Sequence, residues 1–577
     1  MPKIYIRESE TYRTRIENVT DKDLFFYPVY KQAQDCLKQM VLDSKRYDSK
    51  YECDSALINN SIEINPLRLK GYPNNIIAFC AKRGHGKTSA MISFSTALAN
   101  MHNINELNPA IKDSFWDESI RNSRFLVLEP IDPTTLEQTD SIIRTIISRM
   151  FQQFSEKSFQ GYRNQDKRES QQRLLQLFQT CFRLADQQKD TERHNEDYDD
   201  LQRLTELGDS SNFKKELNRL IYSYLAFMLD DETTSYKHSN ASRFLIIQID
   251  DADMNTTNAY EVVEDVRKYC VLPNVIILFA TDMSLLEQTV EHYFVKSFDT
   301  IIYGGLDGDR VSKHTAKISR ERCHKTAISY LEKLIPGLHR INLPDIDAEL
   351  RNSMRKVYLN FETNDMAPSQ DATKQHTGNT NNQDIEYQRA LIQLLQRKCL
   401  FSIPYNDTEL HPFFPKRMRE LSHFMIMLRS MREVNCTTQR LLLWAAGGED
   451  DNECRDAAHT LEANLELLLD YFLNRWCENR LDHRERSVIT DIHNAKTEDK
   501  VRVATESLMR TFSENSYFAE RDPNGGWREL SNCTQHLITS QNREFACALE
   551  LYFHLFRDII MVYDCEEQAN RRRKNAE

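Results

Sequence analysis

The segment AKRGHGKTS, residues 81–89, has the residue types and the spacing to hold a chain of phosphates. Phosphate oxygens are best met by several backbone N–H groups converging on one point. Gly84 and Gly86 permit that close approach, which a side chain would block. Ala81, Lys82, Arg83 and His85 complete the turn, with Ala81 where the pattern more often has glycine; that position mainly sets the turn. A helix beginning near Thr88 and Ser89 would point the positive end of its dipole at the same oxygens. Lys87 is spaced to reach the β- and γ-phosphates, and the Thr88 hydroxyl to ligate Mg²⁺. A chance GKT in a loop is the bland alternative. The strand-like run before it and the helix-like run after it argue against that.

Three further runs could complete the chemistry. RFLIIQIDDAD, residues 243–253, reads as a buried strand ending in two acids. Asp250 would hold Mg²⁺, directly or through water, and Asp251 would polarise the attacking water. Glutamate is commoner at the second place, so Asp251 leaves the rate of hydrolysis open. NVIILFATD, residues 274–282, offers Thr281 and Asp282 as residues that sense the γ-phosphate. Either could equally cap the following helix, one residue doing each job. AKISRERCHK, residues 316–325, puts Arg320 and Arg322 on a helix between the fourth and last core strands, from which a neighbouring subunit could supply a charge-stabilising arginine. A solvated basic helix face is the alternative. Arg417, in PKRMREL, could reach the nucleotide from a lid or be ordinary surface charge. Together these residues spell a P-loop nucleoside triphosphatase using ATP or GTP with Mg²⁺. Base preference is unreadable, because contacts to the base in such folds are mostly apolar and backbone.

The elements that must position these residues follow from periodicity. Apolar runs at 74–81, 125–131, 243–250, 274–281 and 339–344 alternate with helical stretches, which indicates a parallel sheet covered on both faces. Asp132 with Thr134 or Thr135 reads as the cap of a helix starting near Leu136. The expected organisation is an N-terminal arm or cap over 1–70 and an α/β three-layer core over 71–344, carrying a helical insertion at 158–240. Beyond it come a lid-like helical region over 345–435 with a mobile loop at 361–384, and a C-terminal helical domain over 436–577. The region after the core is expected to be all-helical.

Composition narrows the class. The 577 residues carry a formal net charge of -12, so the overall basic footprint of a nucleic-acid binder is absent, although a local patch remains open. The 13 cysteines include no C-x-x-C pair, which predicts reduced thiols in a cytoplasmic protein rather than a disulfide framework or zinc site. No window holds about 18 uninterrupted apolar residues, so no membrane span is expected.

GHGKTS, then IDDADMNTTNAYEVVEDVRKYCVLPNVIILFATDMSLLEQTV, then ISYLEKLIPGLHRINLP resemble the KAP and STAND branches of P-loop ATPases, which sit beside AAA+ proteins. The likeness spans roughly 74–345 plus the PKRMREL helix. It departs at Asp253-Met254, where many members have Asp-Arg, and in lacking the membrane spans common among KAP members. LVLEPIDPTTLEQTDSIIRTIISRMF, residues 126–151, resembles the ATPase subunits of RADAR-type bacterial anti-phage systems. The resemblance implies a ring or other homo-oligomer that couples ATP to a separate effector protein in antiviral defence. A DNA-handling ATPase of initiator or loader type, and a nucleotide-dependent scaffold with negligible hydrolysis, remain as alternatives.

Overall fold

A computed structural model describes residues 2–6, 16–55, 75–107, 115–136, 141–158, 165–193, 200–229, 242–254, 259–297, 313–351, 356–361, 384–401, 410–437 and 452–481, with single positions and pairs between 403 and 490. The chain divides into two compact units, Thr14–Pro344 and Met1–Arg13 with Asp345–Glu577, so the expected 1–70 arm is shared between them.

In the second of these, β1 (Lys3–Ile6) lies in a three-stranded sheet with two strands from far along the chain. In the first, a five-stranded sheet forms from β2 (Ile76–Cys80), β3 (Ser123–Val127), β4 (Ser242–Asp250), β5 (Val275–Thr281) and β6 (Arg340–Asn342). All its pairings are parallel, in the order β3-β4-β5-β2-β6. The α/β class with a parallel sheet is thus present. Parallel strands buried on both faces are built from continuous apolar runs, and β2 and β5 are buried at every position.

The pleat divides those side chains between two layers. Ile76, Ala78 and Cys80 share one buried cluster with Leu245, Ile247 and Ile249. That cluster also takes in the apolar stripes of α4 (Ile142–Ser158), α5 (Gln165–Arg193), α6 (Asp200–Leu229), α7 (Ala259–Asp265), α8 (Met283–Ser297) and α9 (Lys313–Leu334). The alternate residue Phe79 has its ring centroid 6.1 Å from that of Phe94, on α2 (Lys87–Leu107), and Phe94 meets Trp116 at 5.8 Å. On this side α1 (Tyr27–Ser55) packs on β2, β6 and the short α3 (Glu118–Arg121). Between β3 and β4, α5 and α6 pack on each other, and α6 also contacts both strands.

One helix start differs from expectation. The Asp132 side chain accepts the Thr134 N–H at 2.8 Å, but it caps a single 3₁₀ turn, Pro133–Thr135. Leu136 then turns extended (φ -75°, ψ 129°). The α-helix begins at Ile142, where Ser141 supplies the cap, its Oγ accepting the Arg144 N–H at 3.3 Å.

The region after residue 344 is not all-helical. β7 (Tyr358–Phe361) pairs in parallel with β1 and antiparallel with β8 (Asp384–Glu386). Val357, Leu359, Asn360 and Phe361 are buried, and Lys3 Nζ meets the Asp384 carboxylate at 2.7 Å. The helix Tyr387–Cys399 packs on β7 and β8, and the helices Met418–Ser430 and Asn452–Tyr471 pack on it and on each other. Residues 362–383, most of the expected mobile loop, and 491–577, most of the expected C-terminal helical domain, lie outside the described residues. Among the described residues no helix is long and apolar enough to cross a membrane.

Candidate phosphate-binding site

Every strand of the five-stranded sheet ends on one edge, and in open parallel sheets ligands lie just outside the carboxyl ends of the strands. β5 sits between β2 and β4. The loop after β2, the acids after β4 and Thr281 at the end of β5 therefore share that edge.

The loop runs from Ala81 to Gly86. Its entry is fixed by the Ala81 N–H donating to the Thr281 carbonyl at 3.3 Å. Gly84 and Gly86 have φ of 87° and 92°, a backbone that glycine adopts freely and L side chains resist. His85 is 7% exposed, with Nδ1 3.1 Å from the Lys82 carbonyl, so the loop closes over its own imidazole. Lys82 and Arg83 are exposed. The first hydrogen bond of α2, from Ala90 N–H to the Gly86 carbonyl at 2.9 Å, starts the helix immediately after the second glycine. Its first turn carries no acidic side chain that would take up the free N–H groups.

Lys87 is 6% exposed, and the carboxylate nearest its ammonium is Asp251 Oδ1 at 3.9 Å. A nearly buried ammonium held at that distance has donor capacity left for a multivalent anion. Thr88 Oγ1 donates to Asp250 Oδ1 at 2.9 Å. Burial, and then the charge of Asp251, push the Asp250 carboxyl up to about 6, while the Thr88 hydrogen bond pulls the other way. Burial also raises the Asp251 carboxyl, against the pull of Lys87. A cation seated here would favour the ionised carboxylates that burial disfavours. Mg²⁺ asks for few protein ligands because it keeps waters and shares phosphate oxygens. One carboxylate and one hydroxyl fit that demand, and among the described residues no group of three or more His, Cys, Asp and Glu makes a fuller cage.

Asp251 leaves β4 with a φ of 49°, one of two non-glycine residues in the left-handed region among those described. Its N–H donates to the Ala280 carbonyl at 3.1 Å, and the Met254 N–H returns to the Asp251 carbonyl at 3.0 Å. The two candidates after β5 have separate duties. Asp282 Oδ1 accepts from the Ser284 N–H at 3.1 Å and the Ser284 hydroxyl at 2.6 Å, so it caps α8. Thr281 Oγ1 instead donates to Asp253 Oδ1 at 3.1 Å, both residues being buried. Asp253 was not among the expected site residues. Asp132 was read only as a cap, yet its charge also acts on Asp250 and Asp251.

Arg320 and Arg322 are exposed on α9, which packs against α8. Arg417 belongs to the other unit, where it precedes the helix Met418–Ser430 with Nε 3.8 Å from Glu420 Oε1.

No protein-family model matches the chain, and no curated protein is significantly similar to it.

Proposed function

We propose that this chain is a P-loop ATPase that binds Mg²⁺–ATP at Ala81–Ser89 and hydrolyses it, acting as an oligomeric switch for a separate effector protein in antiviral defence. The observation that carries the reading is the Thr88–Asp250 hydrogen bond beside the nearly buried Lys87, on the loop bent by Gly84 and Gly86. Each residue then has a duty. The loop N–H groups and Lys87 bind the phosphates. Thr88 and Asp250 hold Mg²⁺, which when bound offsets charge on the phosphate oxygens. Asp251 orients the attacking water and accepts its proton. Arg320 or Arg322, exposed on α9, is offered to the site of a neighbouring copy. The defence role rests on the resemblance of the sequence to KAP, STAND and RADAR-type ATPases alone.

A second reading is favoured by one contact: Asp251, a methylene shorter than the usual glutamate, is paired with Lys87. The pair turns the carboxylate toward Lys87, and the shorter side chain reaches less far toward an attacking water, which suits a nucleotide-dependent scaffold that barely hydrolyses.

The deciding experiment is the solution mass of the protein with and without Mg²⁺–ATP, for wild type and Lys87→Ala, alongside steady-state ATP turnover. A large assembly that depends on nucleotide, with turnover lost in Lys87→Ala, is the expected result. A monomer under every condition sinks the switching-oligomer reading. Assembly without turnover above the Asp250→Ala level favours the scaffold.

A further inference from the structure

Asp253 lies two residues beyond the acids assigned to Mg²⁺ and water, and it is 2% exposed. A carboxylate that deep costs free energy unless its position is used. Its Oδ1 accepts the hydroxyl hydrogen of Thr281, which is 0% exposed at the last position of β5. A threonine hydroxyl has one hydrogen to give. Thr281 has given it to Asp253, so its hydroxyl is not left free to donate to a phosphate. The same two segments are joined by a second bond, from the Asp251 N–H to the Ala280 carbonyl at 3.1 Å. Between these two cross-links sits Asp251 itself, in the left-handed backbone, a conformation that persists only where surrounding structure imposes it.

We propose that Asp253 is a positioning residue: with Thr281 it braces the turn after β4 so that Asp251 is held beside Lys87 in the geometry needed to orient the attacking water. Thr281 acts through Asp253 and Asp251, not as a direct contact to the γ-phosphate. This inference rests on the ATPase reading above. Thr281 meets the phosphate loop only through its backbone carbonyl, which accepts the Ala81 N–H at 3.3 Å, so side-chain substitutions in the brace move Asp251 while leaving the loop, Lys87 and the Thr88–Asp250 pair in place.

The test measures kcat and KM for Mg²⁺–ATP, nucleotide affinity and thermal midpoint for wild type, Lys87→Ala, Asp253→Ala, Thr281→Val and Thr281→Ser. Thr281→Val keeps the shape of the side chain and removes the donor; Thr281→Ser keeps the donor. The expected result is a kcat lowered about tenfold or more in Asp253→Ala and Thr281→Val, a KM and nucleotide affinity within about twofold of wild type, and recovery of most of kcat in Thr281→Ser. Should Asp253→Ala fail to fold, the Val and Ser variants carry the comparison alone. The proposal is overturned if kcat is unchanged in Thr281→Val, if kcat and affinity fall together, or if Thr281→Ser is as slow as Thr281→Val. Wild-type turnover no higher than that of Lys87→Ala would instead remove the ATPase reading, and this inference with it.

Discussion

Thr88 Oγ1 and Asp250 Oδ1 are 2.9 Å apart although 162 positions separate them, so the first turn of α2 is tied to the last residue of β4. That tie fixes where a cation between a phosphate chain and the sheet would sit. Removing the hydroxyl in Thr88→Ala, or the charge in Asp250→Asn, is expected to weaken Mg²⁺-dependent nucleotide binding by about 10–100-fold, the equivalent of one charge-assisted hydrogen bond. Thr88→Ser should stay near wild type. Titration calorimetry with and without Mg²⁺ reads this directly. Equal losses in the two conditions would show that the pair does not serve a cation.

Lys87→Ala should abolish nucleotide binding yet leave the free protein folded. The ammonium makes one loose ion pair, at 3.9 Å, with an Asp251 side chain that is 45% exposed, so little native stability depends on it. Thermal midpoints without nucleotide are expected to agree within a few degrees, and the upward shift on adding Mg²⁺–ATP should vanish in the variant. A large loss of midpoint without nucleotide would mean that Lys87 is structural.

Asp250 predicts a pH dependence. Its carboxyl stands at about 6 in the folded chain against an ordinary 3.8. The folded state therefore holds a proton that the unfolded state has already released. Stability from this group is fully present below about 4 and is lost as pH rises through about 6, a change on the order of 3 kcal/mol. Denaturant titrations from pH 4.5 to 7.5 on wild type and Asp250→Asn should show a steeper decline in wild type. Parallel curves would contradict the assignment.

The left-handed backbone at Asp251 can be separated from its carboxylate. Asp251→Gly and Asp251→Ala both lose the acid, so both should lose turnover. Glycine accepts a φ of 49° without the steric cost that alanine bears, and is expected to be the more stable of the two by about 1 kcal/mol. Equal stabilities would mean that the turn relaxes when the side chain is cut. Retained turnover in either variant would remove Asp251 from the chemistry.

Much of the core was legible because its signals are local. The runs that became β2, β4 and β5 are continuous apolar stretches, and the glycine spacing of 81–89 implies the positive φ angles that Gly84 and Gly86 adopt. Division of labour was not legible. Thr281 and Asp282 are adjacent polar residues before a helix, and only coordinates show that Asp282 takes the cap while Thr281 turns inward to Asp253. Nothing in IDDADM says which of three acids is buried. The cap at Asp132 was a correct local signal, but one 3₁₀ turn satisfied it, and Ser141 started the helix instead. β7 was missed because a four-residue run is a weak pattern and its parallel partner, β1, lies more than 350 positions earlier.

That last pairing has a consequence for how the molecule is made. Lys3 is in register with Tyr358, 355 positions later, by subtraction of the residue numbers. At roughly 5–20 residues per second, ribosomal synthesis takes on the order of 20–70 s to deliver the partner. Throughout that interval all of Thr14–Pro344 emerges and has time to fold. Lys3–Ile6 meanwhile waits as a strand without a sheet. The unit with the five-stranded sheet is thus complete before the other can close, and biogenesis of the second unit depends on the nascent N-terminal segment staying unaggregated until its mate arrives.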